Sequence, residues 1–208
     1  MARMRKPRVK QVRRLGLNVY GLPKANKRMG SGQARSDRKL TEYGMQLLEK
    51  QRLREYYNVM EKQFRGYVEE ALRSTDPSGD ALVRILESRL DNLVYRLGFA
   101  SSIRQARQMV SHGLIKVDGH KVDVPSYRVS PGQVISLKQK HRKNAMFKEN
   151  YESNMLNTLA YLSKNDNFEG TYIRYPERSE VPIEIQDNLV IEFYSCLLYT
   201  SDAADDSL

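Results

Sequence analysis

The chain has 208 residues, of which 40% are hydrophobic and 29% are charged, and its net charge is +10. This composition fits one or two small folded units with a modest core. No stretch approaches the roughly 20 apolar residues that span a bilayer, and no apolar run follows the charged N-terminus as a secretion signal requires. The single cysteine, Cys196, excludes an internal disulfide and a four-cysteine zinc site, so we expect a reducing, cytoplasmic setting.

Positive charge is concentrated in two blocks. Residues 1–40 hold 13 Lys and Arg against one acid, and residues 86–143 hold 11 against four. Residues 41–85 carry seven bases and eight acids, while residues 144–208 carry four bases and twelve acids. Blocks this basic favour an acidic partner, and nucleic acid is the usual one. The alternative is a basic protein with no such partner.

The first 40 residues form a basic arm with little apolar periodicity. Such an arm repels itself in water, so we expect it to stay open until multivalent phosphate relieves the repulsion. A solvated tail without a binding role is the alternative. Its few apolar anchors are Val12, Leu15, Leu17, Val19 and Leu22.

A helical stretch is predicted from Glu42 to about Arg73, with Thr41 as its N-cap. Apolar side chains recur there at spacings of three and four, and we assign its aromatic residues to the core rather than to base stacking. The sequence allows a break near Gly66. The turn at 76–80, Asp-Pro-Ser-Gly-Asp, marks a boundary.

Two helices and a small sheet are predicted next. The first helix covers about 81–97, and a second, which Ser101 or Ser102 can cap, runs to about Ser111. Its buried face is predicted to be Ile103, Ala106, Met109 and Val110. The period then changes to two, and Asp118-Gly119 predicts a hairpin within 114–122, followed by a strand pair at 127–129 and 134–137.

The helix pair carries arginines that its apolar stripes do not use. Arg104 and Arg107 lie one turn apart on the second helix, and Arg89 and Arg96 lie off the leucine stripe of the first. The start of the second helix adds backbone N–H groups and the positive end of the helix dipole, which suit phosphate. Contacts of this kind read backbone shape, as expected for folded RNA. A charged helix face is more often merely solvated.

The same residues resemble a known module. Residues 88–100 read SRLDNLVYRLGFA, residues 102–113 read SIRQARQMVSHG, and IKVDG follows at 115–119. They closely resemble the RNA-binding module named after small-subunit ribosomal protein S4. That module also occurs in pseudouridine synthases, some tRNA synthetases and small rRNA-binding stress proteins.

The rest of the chain resembles the ribosomal family itself, through EYGMQLLEKQRLR at 42–54, EKQF at 61–64 and NLVIEFYS at 188–195. The chain is therefore identified as a member of the S4 family, of the bacterial type without zinc cysteines. The resemblance implies an α+β fold with a basic N-terminal arm, a helical domain, and a module of two helices packed on a small antiparallel sheet. It implies a structural constituent of the small subunit, a primary 16S rRNA-binding protein that nucleates assembly of the subunit body and contributes to translational accuracy. It implies no enzyme activity, no cofactor and no metal.

The resemblance also implies the division of the chain and its partners. The expected parts are the arm at 1–40, the helical domain at 41–80 with 184–195 packed on it, the module with an acidic extension at 81–183, its core at 88–150, and a non-native tail at 196–208, which has no counterpart in the family. The implied partners are 16S rRNA, ribosomal protein S5, other small-subunit proteins, and mRNA near its entry channel; no membrane is implied.

Together, the charges and the resemblance predict a set of rRNA-binding residues spread over the arm, the helical domain and the module. They are Arg3, Arg5, Arg8, Arg13, Arg14, Lys24, Lys27, Arg28, Arg35 and Lys39 in the arm, Lys50, Arg52 and Arg54 in the helical domain, and Arg89, Arg96, Ser102, Arg104, Gln105, Arg107, His112, Lys116, His120 and Lys121 in the module.

Parts of the sequence are compatible with two other functions. Arg89-Leu90-Asp91 matches the context of the catalytic aspartate of pseudouridine synthases, but Asn92 and Leu93 continue a leucine-striped helix rather than an active-site loop. The chain also lacks the residues that a catalytic domain needs. A translational repressor that binds its own mRNA is compatible with a ribosomal role, and the sequence leaves it open.

Overall fold

The structure, a computed structural model, describes residues 7–22, 24–26, 40–153, 159–165 and 167–195. It is a mixed helical and antiparallel structure, as the sequence predicts. Its elements are α1 (Arg8–Leu15), α2 (Glu42–Tyr56), α3 (Glu61–Leu72), α4 (Ser78–Glu87), α5 (Leu90–Arg96), α6 (Ile103–Ser111), β1 (Ile115–Val117), β2 (His120–Lys121), β3 (Val134–Leu137), α7 (Gln139–Arg142), α8 (Ala145–Ser153), β4 (Leu162–Asn165), β5 (Glu169–Tyr172), a 3-10 turn (Arg178–Glu180) and α9 (187–195).

The chain divides into two compact units. Unit 1 contains the residues up to Leu82 and those from Ile183 onward, and unit 2 contains Val83–Pro182. No helix within the described residues has the length and apolar character needed to cross a bilayer.

The stretch predicted as one helix from Glu42 to Arg73 is two helices in unit 1. Thr41 caps α2 as predicted, and its hydroxyl accepts a hydrogen bond from the N–H of Gly44 at 3.2 Å. The chain leaves α2 through Asn58, whose φ of +52° lies in the left-handed region that asparagine tolerates better than most residues. The break therefore falls between Tyr56 and Glu61 and not at Gly66, which lies within α3.

Part of the basic arm is folded, so the expectation of an open arm is wrong for its described residues. Val12 and Leu15 of α1 are buried. The Nε of Arg52 donates to the carbonyl of Leu15 at 2.9 Å, and the Tyr20 hydroxyl donates to the Glu55 carboxylate. Apolar burial and a cation at the C-terminal end of α1 thus offset the repulsion among the arm's own charges.

The helix α9 contributes Phe193 and Tyr194 to unit 1. The Tyr194 hydroxyl donates to Oε1 of Glu61 at 2.6 Å, and Nζ of Lys50 donates to the same oxygen at 2.7 Å. This ammonium also lies 4.6 Å from the centre of the Phe193 ring. Burial raises the pKa of the Glu61 carboxyl, but the hydrogen bonds from Lys50 and Tyr194 and the charges of Lys50 and Arg54 lower it, and its pKa ends below the ordinary 4.5.

Unit 2 packs α5 and α6 on a five-stranded antiparallel sheet of order β2-β1-β3-β5-β4. The hairpin of β1 and β2 is confirmed, with Asp118 and Gly119 at positive φ in its turn. The predicted strand at 127–129 is wrong: only Arg128 forms a bridge, and β3 pairs with β1 and β5 instead. The carbonyls of Pro125 and Tyr127 accept hydrogen bonds from the N–H groups at the start of α5. These carbonyls therefore bond to a helix end instead of to a neighbouring strand.

The helix predicted at 81–97 is likewise two helices, because Arg89 interrupts it. α4 ends at Glu87, α5 begins at Leu90, and Arg89 between them is extended and fully buried. Its Nε and NH2 donate to the two carboxylate oxygens of Asp91 at 3.0 and 2.7 Å. Arg89 therefore lies in the core and not on an exposed helix face, where the sequence placed it.

Removing one partner of this ion pair leaves an uncompensated charge in the core. We expect Asp91→Ala to lower the free energy of unfolding by about 3–5 kcal/mol, measured by urea denaturation followed by circular dichroism. The control is Glu152→Ala, which breaks the exposed pair with Lys148 and should cost no more than about 0.5 kcal/mol. Equal effects of the two substitutions would contradict the structural role of Asp91.

The lowered pKa of Glu61 predicts a dependence of stability on pH. A carboxyl whose folded pKa is depressed stabilises the fold above its unfolded pKa, near 4.5, and this stabilisation is lost as the pH falls through the folded pKa. Glu61→Gln should therefore be less stable than the wild type at neutral pH, and the difference should shrink in acid. Melting temperatures across an acid-to-neutral series test this, with the exposed Glu192→Gln as control. A difference that stays constant with pH would refute the prediction.

Candidate nucleic-acid interface

The start of α6 is built by two of the predicted site residues. The Ser102 hydroxyl accepts a hydrogen bond from the Gln105 N–H at 3.4 Å. The side-chain carbonyl of Gln105 in turn accepts from the N–H and hydroxyl of Ser101, at 2.8 and 2.7 Å. The first bond caps the helix and the other two tie Gln105 to the residue before the cap, so together they fix where the helix begins. Ser102 and Gln105 thus hold the proposed binding helix in shape.

The two arginines of α6 lie outside its buried apolar face. Ile103, Ala106, Met109 and Val110 are buried, as predicted. Arg104 and Arg107 are half-buried, and NH1 of Arg107 lies 3.9 Å from Oδ2 of the buried Asp91. Reversing the charge of Arg107 would bring a second carboxylate beside Asp91, so neutral substitutions are needed to probe this position.

Arg96 is paired within the core of unit 2. Its NH2 lies 2.8 Å from Oε1 of Glu87, which is fully buried. The other carboxylate oxygen accepts from Nδ2 of Asn92 at 2.7 Å and from the Tyr161 hydroxyl at 2.9 Å. Burial raises the pKa of Tyr161, and the neighbouring Glu87 charge raises it further, so the phenol stays protonated and donates. Glu87 therefore fixes Arg96 as part of the scaffold.

The three cations predicted in the helical domain also have carboxylate partners within unit 1. Lys50 is buried against Glu61, and NH1 of Arg54 lies 2.8 Å from the second oxygen of that carboxylate. Arg52 pairs with Glu49 one turn earlier on α2. Any rRNA contact by these residues would have to compete with, or share, these internal ion pairs.

Other predicted residues present their charge at the surface. The exposed cations are Arg8, Arg13, Arg14 and Lys24 in unit 1 and Lys121 in unit 2, where Lys116 is half-buried; the imidazoles of His112 and His120 are exposed too. Arg3, Arg5, Lys27, Arg28, Arg35 and Lys39 lie outside the described residues. The predicted set thus separates into exposed cations, which a polyanion could reach directly, and internally paired ones.

The hairpin brings two of these cations face to face. Lys116 of β1 and Lys121 of β2 are directly opposite each other in the strand register. Like charges at directly opposed positions destabilise a strand pair. The exposed Asp123 carboxylate, 3.4 Å from Nζ of Lys121, compensates in part. A phosphate placed between the two lysines would remove the repulsion.

Two family models match successive parts of the chain: the ribosomal protein S4/S9 N-terminal domain at residues 3–87, and the S4 domain at residues 88–135. Small ribosomal subunit protein uS4 of Finegoldia magna is 64% identical over 197 residues, which cover 94% of this chain and all of that relative. The chain belongs to the uS4 family. Protein uS4B of Clostridium acetobutylicum and uS4 of a Geobacillus species are each 50% identical over 94% of this chain and 99–100% of their own length. The family identified from the sequence motifs is thereby confirmed.

Membership in a ribosomal family, which is generally non-enzymatic, bears on the pseudouridine synthase alternative. In this uS4 family member Asp91 is fully buried and bonded through both oxygens to Arg89. A carboxylate so placed has no access to a nucleotide, so the residue that suggested an enzyme is a structural one.

The predicted contacts leave out three lysines, Lys138, Lys140 and Lys143, that flank or lie in α7. Lys140 and Lys143 are exposed, and Lys138 is half-buried. The sequence held a signal for them, since four of the six residues at 138–143 are Lys or Arg. They fall outside the helix pair and the hairpin, to which the predicted contacts of the module are confined.

The opposed lysines of the hairpin predict effects of opposite sign on stability and on binding. The double variant Lys116→Gln with Lys121→Gln should keep or raise the melting temperature while weakening rRNA binding, because the repulsion and the phosphate contacts disappear together. Arg96→Gln is the contrasting variant and should lower the melting temperature, since it leaves Glu87 with an incomplete set of donors. Melting curves and filter-binding titrations measure both quantities. A double variant that melts at a lower temperature and binds rRNA as well as the wild type would show that the two lysines stabilise the fold and do not bind rRNA.

Proposed function

We propose that this protein is a structural constituent of the small ribosomal subunit that binds 16S rRNA directly, nucleates assembly of the subunit body and contributes to translational accuracy. The observation that carries the proposal is the identity of 64% across nearly the whole chain with a protein named small ribosomal subunit protein uS4. The exposed cations of the described residues support it, since phosphate contacts provide much of the affinity of proteins for nucleic acid.

Within this proposal, the predicted binding residues take two roles. The exposed cations of α1 and the hairpin, together with the exposed imidazole of His112 at the end of α6, contact phosphates. The buried or paired cations Lys50, Arg89 and Arg96 hold the surfaces that present them. Because phosphate contacts carry no base information, recognition rests on the shape of the folded rRNA.

The proposal includes the division of the chain into parts, its partners and its place of action. The arm at 1–40, the helical domain at 41–80 with 184–195, and the module at 81–183 are proposed as the working parts, with 196–208 a non-native tail outside the described residues. Ribosomal protein S5, other small-subunit proteins and mRNA near the entry channel are proposed partners. The proposed place of action is the cytoplasm, on the ribosome, with no enzymatic activity. The names of the relatives give no support to repression of its own mRNA, and we do not propose it.

Competitive binding and footprinting on rRNA test this function. We expect the full chain to protect a discrete set of nucleotides on 16S rRNA, and to do so in the presence of excess tRNA. The affinity should fall steeply with salt, with a slope of log K against log salt of about −0.7 to −0.9 per phosphate contact. Large-subunit rRNA is the control. Equal affinity for both rRNAs, without a discrete footprint, would show a merely basic protein and refute the proposal.

A further inference from the structure

A basic strip, defined as residues 138–143, follows the strand β3. It contains Lys138, Lys140, His141, Arg142 and Lys143, and no acid occurs between it and Glu149. No residue of α7 is buried. Lys140 and Lys143 are exposed, so the strip presents charge to solvent rather than forming a packed helix face.

The strip is fixed to the sheet by one of its own cations. The Nε of Arg142 donates to the carbonyl of Leu137 at 2.9 Å, and its NH2 lies 3.1 Å from Oε1 of Glu169 on β5. Across the described chain, none of the three lysines of the strip is paired with a carboxylate. Arg142 thus positions the strip, and the lysines keep their charge for a partner.

The strip runs beside α6. At one end, the N–H of Lys138 donates to the carbonyl of Leu114, just after α6 ends. Beyond the other end, Nε2 of Gln105, in the first turn of α6, lies 3.7 Å from the sulfur of Met146. The chain from 138 to 146 therefore passes along α6, whose nine residues rise about 13 Å.

The chemistry of the strip favours a polyanion over an acidic protein. Its residues are all polar, and Met146 is the only large apolar side chain that is exposed between 138 and 153. The centres of protein interfaces are depleted of charged residues, Lys among them, so this surface fits a protein partner poorly. Three unpaired lysines in six residues repel one another, and closely spaced phosphates relieve that repulsion.

We propose that the basic strip binds the phosphate backbone of the same rRNA as α6 and forms a second row of contacts beside it. This inference rests on the proposed function and adds Lys138, Lys140 and Lys143 to its binding residues. Arg142 is a positioning residue, because its guanidinium is engaged with the sheet.

The test removes two exposed charges from the strip and, separately, two from elsewhere. The strip variant is Lys140→Gln with Lys143→Gln, and the matched control is Lys62→Gln with Lys148→Gln, whose lysines are also exposed. Both variants should melt like the wild type. In titrations with 16S rRNA across a salt series, the strip variant should bind roughly tenfold more weakly at moderate salt, with a salt slope smaller by about 1–2. The control should stay near the wild type.

Three outcomes would overturn the inference. A strip variant that binds like the control would show that the lysines do not contact rRNA. A strip variant that binds naked 16S rRNA normally but fails to enter reconstituted small subunits would assign the strip to a protein partner instead. A wild-type protein with no preference for small-subunit rRNA would refute both the proposed function and the inference about the strip. If the wild type shows that preference and the strip variant binds equally well, only the inference about the strip is refuted.

Discussion

The ion pair between Arg89 and Asp91 is the constraint on which unit 2 depends. A fully buried guanidinium is tolerated only with a geometrically matched carboxylate, and Asp91 supplies both oxygens. Meeting this requirement breaks the helix, because Arg89 must be extended to reach a partner two residues away. The break exposes the N–H groups at the start of α5, which Pro125 and Tyr127 then satisfy. Asp91 also lies beside Arg107, so the core pair and the candidate binding helix share one carboxylate.

The same principle sorts the cations of the whole chain into two populations. Lys50 and Arg96 are satisfied by Glu61 and Glu87, and each of these carboxylates also accepts a hydrogen bond from a tyrosine. They count among the basic residues of the chain, but their charge is balanced by these carboxylates and offers little to a phosphate. The number of Lys and Arg residues therefore overstates the binding surface, and location decides which cations a polyanion meets. The second population consists of cations that are exposed or lack an internal carboxylate. The lysines of the hairpin and of the basic strip belong to it.

Short-range signals made much of the fold predictable. The caps Thr41 and Ser102 each bond a residue three positions away, and the Asp118-Gly119 turn follows from the left-handed backbone that this pair tolerates. The errors arose where distant partners decide the outcome. Lys50 belongs to the core because Phe193 and Glu61 meet it there, and no local pattern in α2 records this. The apolar spacing typical of a helix also continues across the breaks between α2 and α3 and between α4 and α5. That spacing does not indicate the buried ion pair of Arg89 or the left-handed turn at Asn58. The candidate site was predictable in composition but not in burial.

A surface built for phosphate carries an electrostatic cost in the free protein. Lys116 and Lys121 oppose each other across the hairpin, and the lysines of the basic strip have no carboxylate partner in the described chain. Such repulsion is tolerated because the scaffold beneath is stabilised independently, by the apolar core and by buried pairs such as Arg89 with Asp91. A ligand that binds only the folded state stabilises it by mass action, and here it would also remove the repulsion. Binding of a polyanion and stability of unit 2 are therefore thermodynamically coupled, even though surface lysines provide the binding and core residues provide the stability.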